Sequence, residues 1–486
     1  MVEVSGELLI HRPERPLALD APALDRLRRR VQRAASRRKG EAVLVSATAR
    51  VEVPGSLGDL LRGAGLAGAP WALIEQPDRG NRGILALGAA MTVPIGSQAG
   101  QRFRALAERW HDLGRTADAD PAGGIPGAGL ILVGGAAFSP GGGTGSTWNG
   151  FGGGDMVVPS VTVAVCDGAA ALTVTLLVAP GDEPVELMAE AQLATALLVP
   201  ASAAPADPFL QQPDVQSVLA ADHFTGAVER AVSKIAAGDF SKIVLAREIE
   251  VRSPQAWDVP AVMHHLGQRF PACFIFGFGR GDGAMIGASP ELLVRREGQR
   301  VETVALAGTT RRSDDPSVDA HLAAELMKSA KDRQEHQLVV DRIVKTLQPH
   351  ALWVTAPEEP QIATVANVHH LATPIRAQLD GRAGLLDLIG SMHPTPAVGG
   401  EPHEAALRAI PGLEGIDRGW YAGPLGWVDR AGDGELFVGL RSGVLRGRVA
   451  RLFAGVGVVG ASDPSSELAE TEVKLQAVLG SLRPPA

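Results

Sequence analysis

Lys242 opens the apolar run KIVLAREIEV, and Glu291 stands in IGASPELLV between a Ser-Pro turn and a second apolar run. A lysine at the head of a buried strand is a candidate general base, because desolvation disfavours the ammonium form. A carboxylic acid in similar surroundings holds its proton to higher pH and can donate it. Taken singly, each is more often an ordinary charge at a strand end. Two acidic stretches add to them. Asp332 and Glu335 lie three apart in KDRQEH, and Glu467 and Glu470 lie three apart in SSELAETEVK, with Lys474 four beyond Glu470. That spacing puts each set on one face of a helix. Two such faces brought together make an oxygen-rich site for a hard cation such as Mg²⁺, which takes a few carboxylates and leaves positions for an anionic ligand. A pair of solvated helices with i,i+4 ion pairs uses the same spacing. Only seven of the 46 basic residues are lysines, so a retained lysine points to a specific need.

The elements that must position these groups are clearest in the C-terminal half. DHFTGAVERAVSKIAAGD has helical spacing and stops at Gly238. SKIVLAREIEV reads as a strand, CFIFGFG and GAMIGAS as a hairpin-like pair, and ELLVRREGQRVETVAL as further β structure. ELMKSAKDRQEHQLVVDRIVKTL reads as one long helix, PLGWVD, ELFVGLRSGVL and VARLFAGVGVV as three strands, and SSELAETEVKLQAVLGSL as the last helix. The first ~210 residues alternate apolar runs with turn residues and read as strands around one helix, AGQRFRALAERWHDLG. SPGGGTGSTWNGFGGGD is Gly-rich enough to be a flexible surface loop. PADPFLQQPDV, from Pro205 to Val215, reads as a linker, which divides the chain into 1–215 and 216–486. Strands and helices mix without strict βαβ alternation, so the class is α+β, with a large antiparallel or mixed sheet core flanked by helices.

Composition removes several functions. A net charge of -8 without a long basic block argues against nucleic acid, and the basic run from Arg26 to Lys39 has the apolar spacing of a solvated amphipathic helix. Cys166 and Cys273 are far apart in apolar runs, which suggests neither disulfides nor a zinc site. No apolar run approaches the ~18 residues of a membrane span, and no basic start leads into one, so a cytoplasmic protein is expected. Gly455, Gly457 and Gly460 satisfy G-x-G-x-x-G, yet no βαβ unit follows and the chain ends one helix later, so a dinucleotide site is not expected. Such glycines can still offer backbone N–H groups to a carboxylate.

In order and with ordinary spacing, KIVLARE, IGASPELLVRREG, LAGTTRR, KDRQEHQLVVD, HHLATPI, HPTPAVGG, YAGPLGWVD, FVGLRSG, LFAGVGVV and ELAETEVKL resemble the chorismate-binding family, over roughly residues 222–478. That family includes isochorismate, salicylate, anthranilate and aminodeoxychorismate synthases. The N-terminal half resembles the family's variable part more loosely; GGAAFS and Trp148 look like a GGFAFD…W stretch, with Ser139 where an acid is common. The resemblance implies the chorismate-utilising fold, with the N-terminal half contributing strands to the same core. It also implies Lys242 as base to a water attacking C2 of chorismate, and Glu291 as the acid that protonates the departing 4-hydroxyl. Glu335 and Glu470 would ligate Mg²⁺ with Glu467 and Asp332 near them, although Asp332 replaces a Glu of some relatives. Tyr421, Arg441, the Gly455 and Gly457 backbone and Lys474 would bind carboxylates, and His370 would border the substrate.

Within the family, nitrogen-adding members need ammonia, usually from a glutaminase, and lack a lysine at the Lys242 position. Lys242 therefore implies water as nucleophile and no glutaminase partner. Salicylate synthases share the lysine and the glutamate but carry Thr where this chain has Ala397, which matches isochorismate synthases. The implied function is an isochorismate synthase, and the resemblance suggests a monomer. A salicylate-forming lyase and a non-catalytic chorismate-binding protein are the alternatives. Whether the product feeds menaquinone or a siderophore is decided by neighbouring enzymes; the length of the N-terminal half leans toward menaquinone.

Overall fold

Residues 16–64, 68–98, 100–121, 123–200, 213–365 and 368–482 are described by the structure, a computed structural model. Among them the strands assemble into a twelve-stranded and a ten-stranded sheet, antiparallel at every strand pair. Strand Phe274–Gly281 shows why the sheets stack. Side chains alternate across a strand; Phe276 and Phe278 point into the core shared with the ten-stranded sheet, while Ile275 faces a second core under the helices. The Phe437 ring of the opposite sheet lies 4.7 Å from Phe274 and 5.1 Å from Phe276, centroid to centroid. Both sheets take strands from either side of residue 215: Gly68–Gln76 pairs with Phe274–Gly281, and Ile131–Ala136 pairs with Pro424–Asp429. No helix among the described residues is long and apolar enough to cross a membrane.

Several local expectations change. The expected long helix is two, Pro316–Lys328 and Ala330–Leu347. Ser329 divides them: its backbone is extended and its hydroxyl accepts from Asp332 N, which caps the second helix. ELFVGLRSGVL is likewise two strands, Gly434–Val438 in one sheet and Ser442–Arg446 in the other, joined by a crossing in which Arg441 has φ +46°. A second crossing runs beside it, from Gly283–Ser289 to Leu292–Glu297, with Pro290 and Glu291 between the strands. The two crossings are tied together by Val438 N donating to Glu291 O (3.0 Å) and Ala288 N donating to Arg441 O (3.1 Å). One acid and one guanidinium are thus set side by side at the seam between the sheets. Of the expected linker, residues 205–212 lie outside the described residues, while Asp214–Ser217 is a short strand on Lys242–Arg252.

The Gly-rich stretch is a pinned loop, not a free one. Asp417, distant in sequence, accepts from the backbone N–H groups of Gly143 (2.9 Å), Thr144 (2.8 Å) and Gly145 (2.9 Å), and Trp148 inside the loop is 1% exposed.

Candidate active site

Strand Lys242–Arg252 runs antiparallel to Val449–Val458 in a register that sets Val244 opposite Gly457 and Ala246 opposite Gly455. The G-x-G pattern therefore belongs to a sheet ladder. Gly457 is there because a Cβ would lie 2.6 Å from Glu335 Oε1 and 3.3 Å from Lys242 Cε. Its absence lets helix Ala330–Leu347 bring Glu335 onto the strand, where Lys242 Nζ, 1% exposed, meets Glu335 Oε1 at 2.8 Å. Burial alone would push the Glu335 carboxyl up; the Lys242 ammonium and the Lys474 charge outweigh it and hold the group below the ordinary carboxylate range. Gly457→Ala should displace Glu335 and lower kcat by at least about tenfold, since misplacement by about 1 Å can cost 10²-fold. Full turnover in that variant would show that the Lys242–Glu335 contact is dispensable.

All thirteen residues singled out from the sequence line one cavity of ≈ 260 Å³. That volume is below the ~300–1,000 Å³ typical of drug-sized ligands and suits a compact one. At one wall, burial pushes the Glu291 carboxyl up to about 7 although the Lys242 charge pulls the other way. Opposite charges dominate the rest. Arg441 Nη2 donates to His370 Nε2 (3.2 Å), whose Nδ1–H donates to Gly308 O (3.1 Å). Burial and the Arg441 guanidinium push His370 down to about 3, so its ring is neutral near pH 7 and accepts from the arginine. Burial raises the Tyr421 phenol above its ordinary value, so its hydroxyl stays protonated. Lys474 Nζ reaches Glu470 Oε1 (2.8 Å) and Gly455 O (3.0 Å). Ala397 lines the cavity beside Val398.

The acidic corner has the donor chemistry of a hard-cation site. Asp332 and Glu335 come from one helix, Glu467 and Glu470 from Pro464–Leu479, and all four face the cavity. Burial raises the Asp332 and Glu467 carboxyls, and the neighbouring carboxylates raise them further. Three carboxylates pair with lysines: Glu335 with Lys242, Glu470 with Lys474, and Glu467 with Lys331 at 3.7 Å. Among the described residues no three acidic, His or Cys side chains lie close enough to share an ion as they stand. Two carboxylates with water and ligand oxygens suffice for Mg²⁺, and Glu335 and Glu470 fit that need.

Sequence reading missed four contributors. Lys331, Phe453 and the Gly308–Thr309 irregularity in strand Arg300–Arg311 line the cavity without having been singled out. Arg418 lines it too, and its guanidinium forms a buried ion pair with Glu414 (2.5 Å) while donating to Val244 O (2.9 Å) and Val398 O (2.8 Å). Glu414 in turn accepts from Ala246 N (2.6 Å). This pair ties the Lys242 strand to the loop bearing Ala397. Lysine scarcity is the signal that points to Lys331: three of the chain's seven lysines line this one cavity.

A family model described as chorismate binding enzyme matches residues 29–483. A Pseudomonas aeruginosa protein named salicylate biosynthesis isochorismate synthase is 38% identical over 383 residues, 79% of either chain. The isochorismate synthase MenF of Bacillus subtilis is 33% identical over 411 residues, 82% of this chain and 85% of its own. Among solved structures, MenF from Escherichia coli, the menaquinone-specific isochorismate synthase, matches with a TM-score of 0.75 at 26% identity, over 95% of this chain and 99% of that one.

Proposed function

This chain belongs to the chorismate-binding enzyme family, and from that premise we propose that it is an isochorismate synthase, an isomerase that interconverts chorismate and isochorismate. The observation that carries the reading is one cavity lined together by a buried lysine, a buried glutamate that holds its proton to about pH 7, and a set of groups suited to binding carboxylates. Lys242 serves as the base to a water that attacks C2 of the ring. Glu291 gives its proton to the 4-hydroxyl, which leaves as water while the ring double bonds shift. One water enters and one departs, so composition and oxidation state are unchanged. Arg441 grips a carboxylate through its planar fork, with neutral His370 holding the guanidinium in place. The Tyr421 hydroxyl, Lys474 and backbone groups at Gly455 and Gly457 complete the carboxylate sites.

Glu335 and Glu470 would hold Mg²⁺, with Glu467 and Asp332 beside them, and the ion would supply a hard positive charge for binding a carboxylate. Because water is the nucleophile, no ammonia-delivering partner is needed, and the reading has the enzyme act as a cytoplasmic monomer. Product analysis decides among the family's reactions. Purified protein incubated with chorismate and Mg²⁺ is expected to form isochorismate alone. Salicylate with pyruvate would make it a lyase, and bound but unchanged chorismate would make it a non-catalytic binder. EDTA should stop turnover and added Mg²⁺ restore it; turnover that persists in EDTA would remove the metal from the reading.

A further inference from the structure

Behind the cavity wall lies a stack of three aromatic rings that joins the catalytic half to the Gly-rich loop of the N-terminal half. Tyr421 and Phe453 both line the cavity. Their rings are stacked at 5.2 Å and 20°, and the far side of Phe453 is stacked on Trp148 at 5.5 Å and 25°. The Phe453 backbone is held in the sheet between Glu248 and Ser442, while its ring packs against two other rings, one of which belongs to the loop.

The loop residue is seated by Asp417 and Gly419 of another segment, and Arg418 stands between them. Asp417 O accepts from Trp148 Nε1 (2.9 Å), and the Asp417 carboxylate accepts from Gly143 N, Thr144 N and Gly145 N as well as Gly419 N (2.9 Å). Arg418 lines the cavity and holds Val244 O and Val398 O. Gly419 has φ +47°, and a Cβ there would lie 2.1 Å from the Trp148 ring, so only glycine admits the indole. The segment that seats Trp148 is thus continuous with the one that shapes the cavity.

We propose that Trp148 is a positioning residue for substrate binding, acting through Phe453 to set the Tyr421 wall, and that Asp417 latches the Gly-rich loop so that Trp148 stays in place. The indole touches no substrate; it fixes two side chains that do. A contact shell held this way affects how well the ring is seated before it affects proton transfer, because Lys242 is anchored on a different strand and Glu291 in the crossing between two others.

Tyr421 is the chain's one tyrosine, which gives a direct test. Protein labelled with 3-fluorotyrosine has a single ¹⁹F resonance, at the Tyr421 ring. In Trp148→Ala this resonance should move or broaden in the ligand-free protein, Trp148→Phe should return it close to its original position, and Asp417→Asn should disturb it in the same direction to a smaller extent. Resting on the chorismate reading above, the kinetic counterpart is a KM for chorismate raised by about tenfold in Trp148→Ala with kcat changed much less, and a smaller rise in Asp417→Asn. A role confined to folding would lower the active fraction, and hence apparent kcat, at unchanged KM. An unmoved ligand-free resonance in Trp148→Ala, or in Asp417→Asn should Trp148→Ala fail to fold, overturns the proposal, as does a kcat loss at constant KM. If chorismate shifts the resonance of no variant, including the unaltered protein, the substrate reading fails, while the ligand-free spectra still decide whether Trp148 sets the wall.

Discussion

Lys242→Ala should lower kcat by about 10²–10⁴-fold, the range associated with a lost general base, and the loss should not be repaired by saturating chorismate. The amine is buried, and the Glu335 carboxylate lies 2.8 Å from it. Removing the lysine therefore does two separate things. It takes away the proposed proton acceptor for the attacking water, and it leaves the half-buried Glu335 without its nearest cation, which should also cost stability, though less than the about 3–5 kcal/mol of a fully buried pair. Thermal unfolding and kinetics must be read together for that reason. Lys242→Ala combined with Glu335→Gln removes the orphaned charge and should regain much of the lost stability without regaining turnover. Near-normal turnover in the single variant would end the assignment of the base. Activity returning with stability in the double variant would mean that Lys242 serves only to neutralise Glu335 and that Glu335 is not needed to hold the metal.

The site was more legible in the sequence than the path of the chain that builds it. Lys242, Glu291 and the two acidic helices were found from residue type and spacing, because a strand's first residue and an i,i+3 helix face are local properties. Their convergence on one cavity was carried by the family resemblance alone; nothing in KDRQEH says that its helix meets SSELAETEVK. The two crossings between sheets were hidden for a physical reason. FVGLRSG is apolar on both sides of Arg441, and an apolar run reads the same whether a strand stays in one sheet or bends at Gly439 to enter another. The break at Ser329 was masked because helical periodicity continues on either side, with no Gly or Pro to mark the end of the first helix. Loop composition misled in the opposite sense. Glycine allows flexibility but also allows backbone N–H groups to crowd one carboxylate, and the Asp417 that collects them lies beyond any local window. Arg418 and Glu414, four apart, look like an ordinary surface pair on paper and are almost wholly buried in the fold.

Glu291→Gln should lose activity to a degree comparable with the lysine variant, yet gain stability at alkaline pH, and the combination separates catalysis from folding. The Glu291 carboxyl is 7% exposed, and burial raises it from 4.5 to about 7. Proton donation to the 4-hydroxyl requires the protonated acid, so kcat/KM of the unaltered enzyme should fall as pH rises past about 7, while the residual activity of the glutamine variant should lack that alkaline limb. Stability follows the same group with a definite sign. Below about pH 4.5 the carboxyl is protonated in the folded and unfolded chains alike. As pH rises from there to about 7 the unfolded chain gives up its proton first, so the folded state progressively loses this contribution, and above about 7 the loss is complete. At roughly 1.4 kcal/mol per unit, a rise from 4.5 to about 7 is of order 3 kcal/mol. Glutamine cannot ionise, so the variant should unfold at a higher temperature than the unaltered protein at pH 8.5 and near the same temperature at pH 4.5. Equal differences at both pH values would show that Glu291 is not the buried, proton-holding acid that the reaction needs, whatever the variant does to turnover.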